Sequence, residues 1–258
     1  MCYNSIMRKL IVGNWKMNPI SSTDAVKLLK GISTSSKLIK DVDVALCVPS
    51  IYLPILTKLP QKKVMIGAQN TFFEESGAYT GEISFSMLKN LKAKFSIVGH
   101  SERRAMGETN EDCNKKILSL IKSGITPILC VGEKERLQDA SYLVVVRTQL
   151  MECLLNVPKS KIKDIVIAYE PVWAIGKDAI RETTPEESME MALYIKKTLA
   201  DIAGPSVAHS VRVLYGGSVN TKNCEIFMAH GGVDGLLVGR ESLDPKKFTF
   251  IIKSASTK

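Results

Sequence analysis

Eight short apolar runs, spaced along the whole chain, constrain the fold more than any other feature. They fall at residues 10–13, 42–48, 64–67, 95–98, 127–130, 165–168, 211–214 and 235–238. Each is too short for a helix and too uniformly apolar for an antiparallel strand with one wet face. Strands of a parallel sheet, buried on both faces, read this way. Amphipathic stretches separate the runs. Residues 21–24 offer caps ahead of Ala25, Leu28, Leu29 and Ile32, a stripe with the 3.6-residue period of a helix. Thr184, Pro185, Glu186 and Glu187 read as a capping box with proline at the first helical position. The helix they open carries Ala192, Ile195 and Leu199 on one face. About eight such strand–helix units predict an α/β fold, a single (β/α)8 barrel formed by residues 1–258 as one domain. An open doubly wound sheet is the competitor, but no G-x-G-x-x-G turn follows the first run. Residues 1–7 read as a mobile N-terminal extension, and Met7 could be the original start.

A chain of 258 residues, 45% of them hydrophobic, buries a core without metals or disulfides. The longest uncharged stretch, 44–57, contains Pro49 and Pro54, so it is not a membrane-spanning helix. The N-terminus has no apolar segment followed by a small-residue cleavage site. The expectation is a cytoplasmic protein with no membrane partner. Six cysteines without a C-x-x-C pair read as reduced thiols packed as small hydrophobes. Three histidines without ligand spacing predict no built-in metal. The net charge of +9 is spread along the chain with no aromatic-interleaved basic motif, which points away from nucleic acid. Such a potential suits attraction of a small phosphorylated anion.

In a barrel of this kind the chemistry sits where strands end. Asn14 and Lys16 follow the first run, His100, Ser101 and Glu102 the fourth, and Glu170 the sixth. Glu170 ends an apolar strand and precedes Pro171, Val172 and Trp173. It reads either as a paired strand-end carboxylate or as a general base with little water around it. His100, at a helix start, is either a satisfied core histidine or a neutral hydrogen-bond donor. Lys16 is either a surface lysine lying along apolar neighbours or a cation for an oxyanion or phosphate. Asn14 could hold Lys16 or donate to the same oxygen. Gly216, Gly217 and Ser218 after the seventh run, and Gly239 and Arg240 after the eighth, are either tight turns or a phosphate cradle.

Five segments, at residues 13–18, 77–82, 98–104, 168–173 and 215–219, resemble those of the triosephosphate isomerase family, in the same order. The resemblance extends over about residues 8–252. It implies a cofactor-free aldose–ketose isomerase, with the triose phosphates as substrates. It further implies Glu170 as the base, and neutral His100 as the group that polarises the carbonyl. Lys16 and Asn14 would stabilise the oxyanion, and Glu102 would stand behind them beside Ser101. Backbone N–H groups of Gly176, Ser218, Gly239 and Arg240 would hold the phosphate, under a lid formed by residues 171–183. The family implies a homodimer as well, in which Thr80, Gly81 and Glu82 enter the partner.

The sequence departs from the family pattern in the lid, where residues 177–183 are about two residues longer and lack a second glycine. It departs again at Arg240, which takes the place of the second glycine of the phosphate turn, and in a shorter stretch after Glu133. A longer lid keeps open a four-carbon erythrulose phosphate as the substrate. A catalytically silent sugar-phosphate-binding barrel is the alternative from another class, and it predicts loss of the base or the lysine. Barrel enzymes of aromatic amino-acid synthesis lack the segment 14–18 and the histidine after the fourth strand.

Overall fold

Each apolar run becomes a strand, and the strands close on themselves. The computed structural model describes residues 7–37, 39–60, 63–176 and 179–256. Its strands are β1 (Lys9–Asn14), β2 (Val42–Val48), β3 (Val64–Ala68), β4 (Phe95–Val98), β5 (Thr126–Val131), β6 (Val166–Tyr169), β7 (Arg212–Tyr215) and β8 (Gly235–Val238). They pair in parallel in sequence order, and β8 returns to β1 with Leu10 opposite Gly235 and Gly13 opposite Val238. The result is the expected (β/α)8 barrel. Residues 1–6 of the N-terminal extension lie outside the described residues.

Burial on both strand faces accounts for the uniformly apolar runs. Leu10, Val12, Ala45, Phe95, Ile97, Ile128, Ala168, Leu214 and Leu237 fill the barrel interior. Their neighbours in sequence, such as Ile11, Leu46, Leu129, Ile167 and Leu236, face the helices. The helix Ser22–Ser36 buries Ala25, Leu28, Leu29 and Ile32, and the Ser21 hydroxyl accepts the N–H of Asp24 at its start. The helix Pro185–Ala203 begins with the full capping box between Thr184 and Glu187. With every strand parallel, all eight C-terminal ends open on one rim, and the residues that follow them share one mouth. No helix among the described residues is long and apolar enough to cross a membrane.

Candidate active site

A cavity of about 400 Å³ occupies that mouth. Its walls include Asn14, Lys16, His100, Glu170, Gly176, Ser218, Gly239 and Arg240, contributed by the ends of β1, β4, β6, β7 and β8. Asn14 and Arg240, 226 positions apart in sequence, therefore meet only because the barrel closes.

Glu170 follows β6 directly, is 3% exposed, and has both oxygens engaged. Its Oε1 lies 3.1 Å from His100 Nε2, and its Oε2 accepts the Ser101 N–H at 2.8 Å. His100 caps the helix Ser101–Ala105, and its Nδ1 accepts the Glu102 N–H at 3.2 Å. An imidazole nitrogen that accepts a hydrogen bond carries no proton. This arrangement suits a ring that carries its hydrogen on Nε2, facing Glu170.

Lys16 is held by its backbone as well as by its charge. Its φ of +52° lies in the left-handed region that side chains other than glycine rarely adopt. Asn14 Oδ1 accepts the Lys16 N–H at 3.0 Å, and Gln69 Nε2 donates to the Lys16 carbonyl at 2.9 Å. The ammonium pairs with Glu102 Oε1 at 2.6 Å. The Glu102 carboxylate is half exposed, so this pair is screened and can exchange partners when an anion enters. Of the two readings of Lys16, the constrained backbone favours a positioned cation over a free surface lysine.

The glycine turns present backbone N–H groups without side-chain bulk. Gly176 has a φ of +84°. Ser218 is tied to the lid by its hydroxyl, which donates to the Ala174 carbonyl at 2.9 Å. Gly239 begins the short helical turn Arg240–Leu243, and a Cβ added to it would come within 3.5 Å of Lys16 Cε. The lid's described parts dock on buried carboxylate Glu133. Its Oε1 accepts Trp173 Nε1–H at 2.7 Å and the Tyr169 hydroxyl at 2.8 Å. Burial pushes the Glu133 carboxyl above its ordinary range, against those two bonds. Arg181 lies over the Trp173 ring and pairs with Glu187. Lys177 and Asp178, where the lid departs from the family pattern, lie outside the described residues.

The candidates at residues 80–82 do not reach this cavity within the chain. They sit on an exposed turn closed by a Glu82 N–H to Tyr79 carbonyl bond of 3.0 Å. Gly81 and Glu82 instead line a neighbouring cavity of about 380 Å³, together with Asn14, Lys16, His100 and Glu102. Sequence reasoning gave no role to Gln69 or Glu133, nor to the Ser101 N–H as a partner of Glu170. Only the position of Glu133 just after β5 could have drawn notice to it.

A family model described as triosephosphate isomerase matches residues 9–255 of the 258-residue chain. Its members are isomerases of a phosphorylated sugar, and with a closed eightfold barrel that gathers a carboxylate, an imidazole and an ammonium in one mouth, this chain belongs to the triosephosphate isomerase family.

Proposed function

We propose that the chain interconverts dihydroxyacetone phosphate and D-glyceraldehyde 3-phosphate by proton transfer through an enediolate. The reading rests first on the 3.1 Å approach of Glu170 Oε1 to His100 Nε2 in the wall of a cavity that Lys16 also lines. The reaction needs a base for a C–H proton, a donor to the carbonyl oxygen, and fixed positive charge beside the developing oxyanion. Glu170 removes the proton from the carbon next to the carbonyl and returns it to the neighbouring carbon. Both its oxygens are engaged in the structure, so substrate entry displaces one of those bonds.

Neutral His100 offers Nε2–H to the carbonyl and passes protons between the two enediolate oxygens. Lys16 stabilises the oxyanion and the phosphate, and Asn14 keeps Lys16 in its unusual backbone conformation. Backbone N–H groups of Gly176, Ser218, Gly239 and Arg240 receive the phosphate. The lid, residues 171–183, excludes water and prevents loss of phosphate from the enediolate. The chemistry moves protons within one molecule and calls for no cofactor.

The presence of Glu170, His100 and Lys16 together argues against a silent binding barrel. A coupled assay on glyceraldehyde 3-phosphate, run beside erythrulose phosphate, tests the assignment. We expect the higher kcat/KM on the triose. Better turnover of the four-carbon sugar moves the substrate, and no turnover of either ends the isomerase reading.

A homodimer fits the same site. Met17 and Met106, 95% and 75% exposed, flank the neighbouring cavity, and Tyr79 stands exposed on the projecting turn beside Thr80. Insertion of one copy's turn into the other's cavity covers this apolar surface and closes the site beside Lys16. Light scattering behind size exclusion tests this: a mass of one chain overturns it. The five cysteines among the described residues, all buried and unpaired, suit a reducing compartment such as the cytoplasm.

A further inference from the structure

Arg181 lies in the stretch where the lid departs from the family pattern, and its contacts are more exact than a half-exposed side chain needs. Its guanidinium sits over the Trp173 ring, 4.4 Å from the centroid. Its two terminal nitrogens reach the two oxygens of Glu187, at 2.9 and 2.5 Å, and one of them also donates to the Glu182 carbonyl at 3.0 Å. A planar fork on a carboxylate, with its face on an indole, fixes orientation as well as distance. A lysine at the same place could not do both.

Both partners of Arg181 are themselves held. Trp173 is buried, and its Nε1–H donates to Glu133 at 2.7 Å. Glu187 opens the helix Pro185–Ala203, where its Oε2 accepts the Thr184 N–H at 2.9 Å. Glu187 Oε1 also lies 3.5 Å from Arg136 Nε, and Arg136 Nη1 lies 3.6 Å from Glu133 Oε1. The contacts run in a ring from Trp173 through Arg181, Glu187, Arg136 and Glu133 back to Trp173. One backbone bond crosses the ring, from the Ile180 N–H to the Trp173 carbonyl at 2.8 Å. The stem of the lid that leaves β6 is thereby tied to the stem that enters the helix.

The clamp bears on the substrate cavity through what it carries. Gly176 follows Trp173 by three residues and lines that cavity, whereas Arg181 does not. From the cavity side Ser218 holds the same segment, through its bond to the Ala174 carbonyl. A group that binds phosphate well must be in place before the phosphate arrives, because ordering it afterwards subtracts from affinity.

We propose that Arg181 is a positioning residue for phosphate binding, which holds Gly176 at the cavity wall by clamping the two stems of the lid on Trp173. The inference rests on the reading of Gly176 as a phosphate ligand given above and names a residue that sets how well that ligand is placed.

The test compares the full chain with Arg181→Met and Arg181→Lys. The clamp itself is read without turnover, by amide exchange at Ala174, Ile175 and Ile180. We expect exchange there to quicken about tenfold in Arg181→Met, with the helix Pro185–Ala203 unchanged. Unchanged exchange at those three amides overturns the clamp. Its effect on the cavity is read by calorimetric titration with glycerol 3-phosphate, a phosphate monoester with no carbonyl to isomerise. The expected Kd is about fivefold weaker in Arg181→Met, and an equal Kd overturns the link to Gly176. KM for glyceraldehyde 3-phosphate should rise in step with Kd while kcat stays within about twofold. A fall in kcat at constant KM overturns the positioning role. Arg181→Lys keeps the cation without the fork and should fall between the other two. Values equal to those of the unaltered chain would mean that charge alone acts, and would overturn the clamp. If the unaltered chain fails to bind glycerol 3-phosphate, the phosphate reading of the cavity ends and this proposal with it. An effect missing only in the Arg181 variants ends this proposal and leaves that reading intact.

Discussion

The two rims of the barrel treat charge in opposite ways. At the N-terminal rim several charges have fixed partners. Asp43 sits between Arg212 at 2.8 Å and Arg8 at 3.7 Å, Lys9 donates to the Val233 carbonyl at 2.7 Å, and Asp234 both pairs with Lys196 and accepts the Val213 N–H. At the C-terminal rim Glu170 is buried against a neutral imidazole and a backbone N–H. Lys16 is held in a left-handed conformation, and the Arg240 guanidinium has no partner among the described residues. The far rim spends its charges on closing the fold. The near rim pairs Lys16 only with the half-exposed Glu102 and leaves the Arg240 guanidinium open, and an anionic ligand can engage both.

Changing Glu170 tests the comparison most severely. Glu170→Gln keeps the size of the side chain and an acceptor for the Ser101 N–H but removes the base. We expect kcat to fall by about a thousandfold or more, with a thermal unfolding midpoint close to that of the unaltered chain. Near-normal turnover would exclude Glu170 as the base and remove the functional meaning of its burial without a cationic lysine or arginine partner.

The next largest effect lies just behind the near rim. Glu108 is 2% exposed at its side chain and pairs with Lys116 at 3.1 Å and Arg103 at 2.5 Å, while accepting the Gly99 N–H. Burial pushes its carboxyl up, but Lys116 and Arg103 outweigh burial and hold it below its ordinary value of 4.5. A depressed folded value means that the stabilisation is present above the unfolded value and is lost as pH falls through the folded one. Glu108→Gln should therefore cost about 3 kcal/mol near neutrality, because it leaves Lys116 buried without its partner. In unfolding followed against pH, the gap between variant and unaltered chain should narrow below about pH 4.5. A constant gap across that range would mean that Glu108 acts by packing rather than by charge.

Arg240 sharpens the contrast between the rims at smaller cost. Its backbone N–H is common to any residue at that turn, so Arg240→Ala isolates the side-chain charge. We expect KM for the triose phosphate to rise about tenfold with kcat nearly unchanged, the pattern of a lost ground-state contact to an anion. A fall in kcat with KM constant would place the guanidinium at the reacting carbons instead of the phosphate.

How far the sequence reached depends on how local each feature is. The uniformly apolar runs place all eight strands, because burial on both faces leaves a signature within a few residues. The runs at 165–168 and 211–214 start one residue before β6 and β7, since Ile165 and Val211 are buried yet still hydrogen-bonded into the preceding turns. The Thr184–Glu187 capping box was legible because both partners sit within three residues. The three side chains proposed for the chemistry, Glu170, His100 and Lys16, stood out as strand-end residues, and the structure brings them to one cavity. The supports were not legible. Gln69 is 53 positions from Lys16, and Glu133 is 40 from Trp173, and neither pairing leaves a local pattern. Nor does sequence spacing show that Lys16 must adopt a positive φ.

The far rim supplies the smallest effect and the control. Arg212 and Asp43 keep about a fifth to a quarter of their side-chain surface exposed, at 21% and 28%, so solvent screens their 2.8 Å pair. Asp43→Asn retains size and hydrogen bonding while removing the charge that faces both Arg212 and Arg8. The expected loss is about 1 kcal/mol or less, a fall of about 2–4 °C in unfolding midpoint for a chain of this size. Neither kcat nor KM should change, because the packed barrel interior from Leu10 and Val12 to Leu214 and Leu237 separates this pair from the substrate cavity. Added salt should erase part of the difference, as it would not for buried Glu108. If Asp43→Asn altered turnover, charge at one rim would be felt at the other through the strands. The division between a rim that closes the fold and a rim that awaits a ligand would then have to be given up.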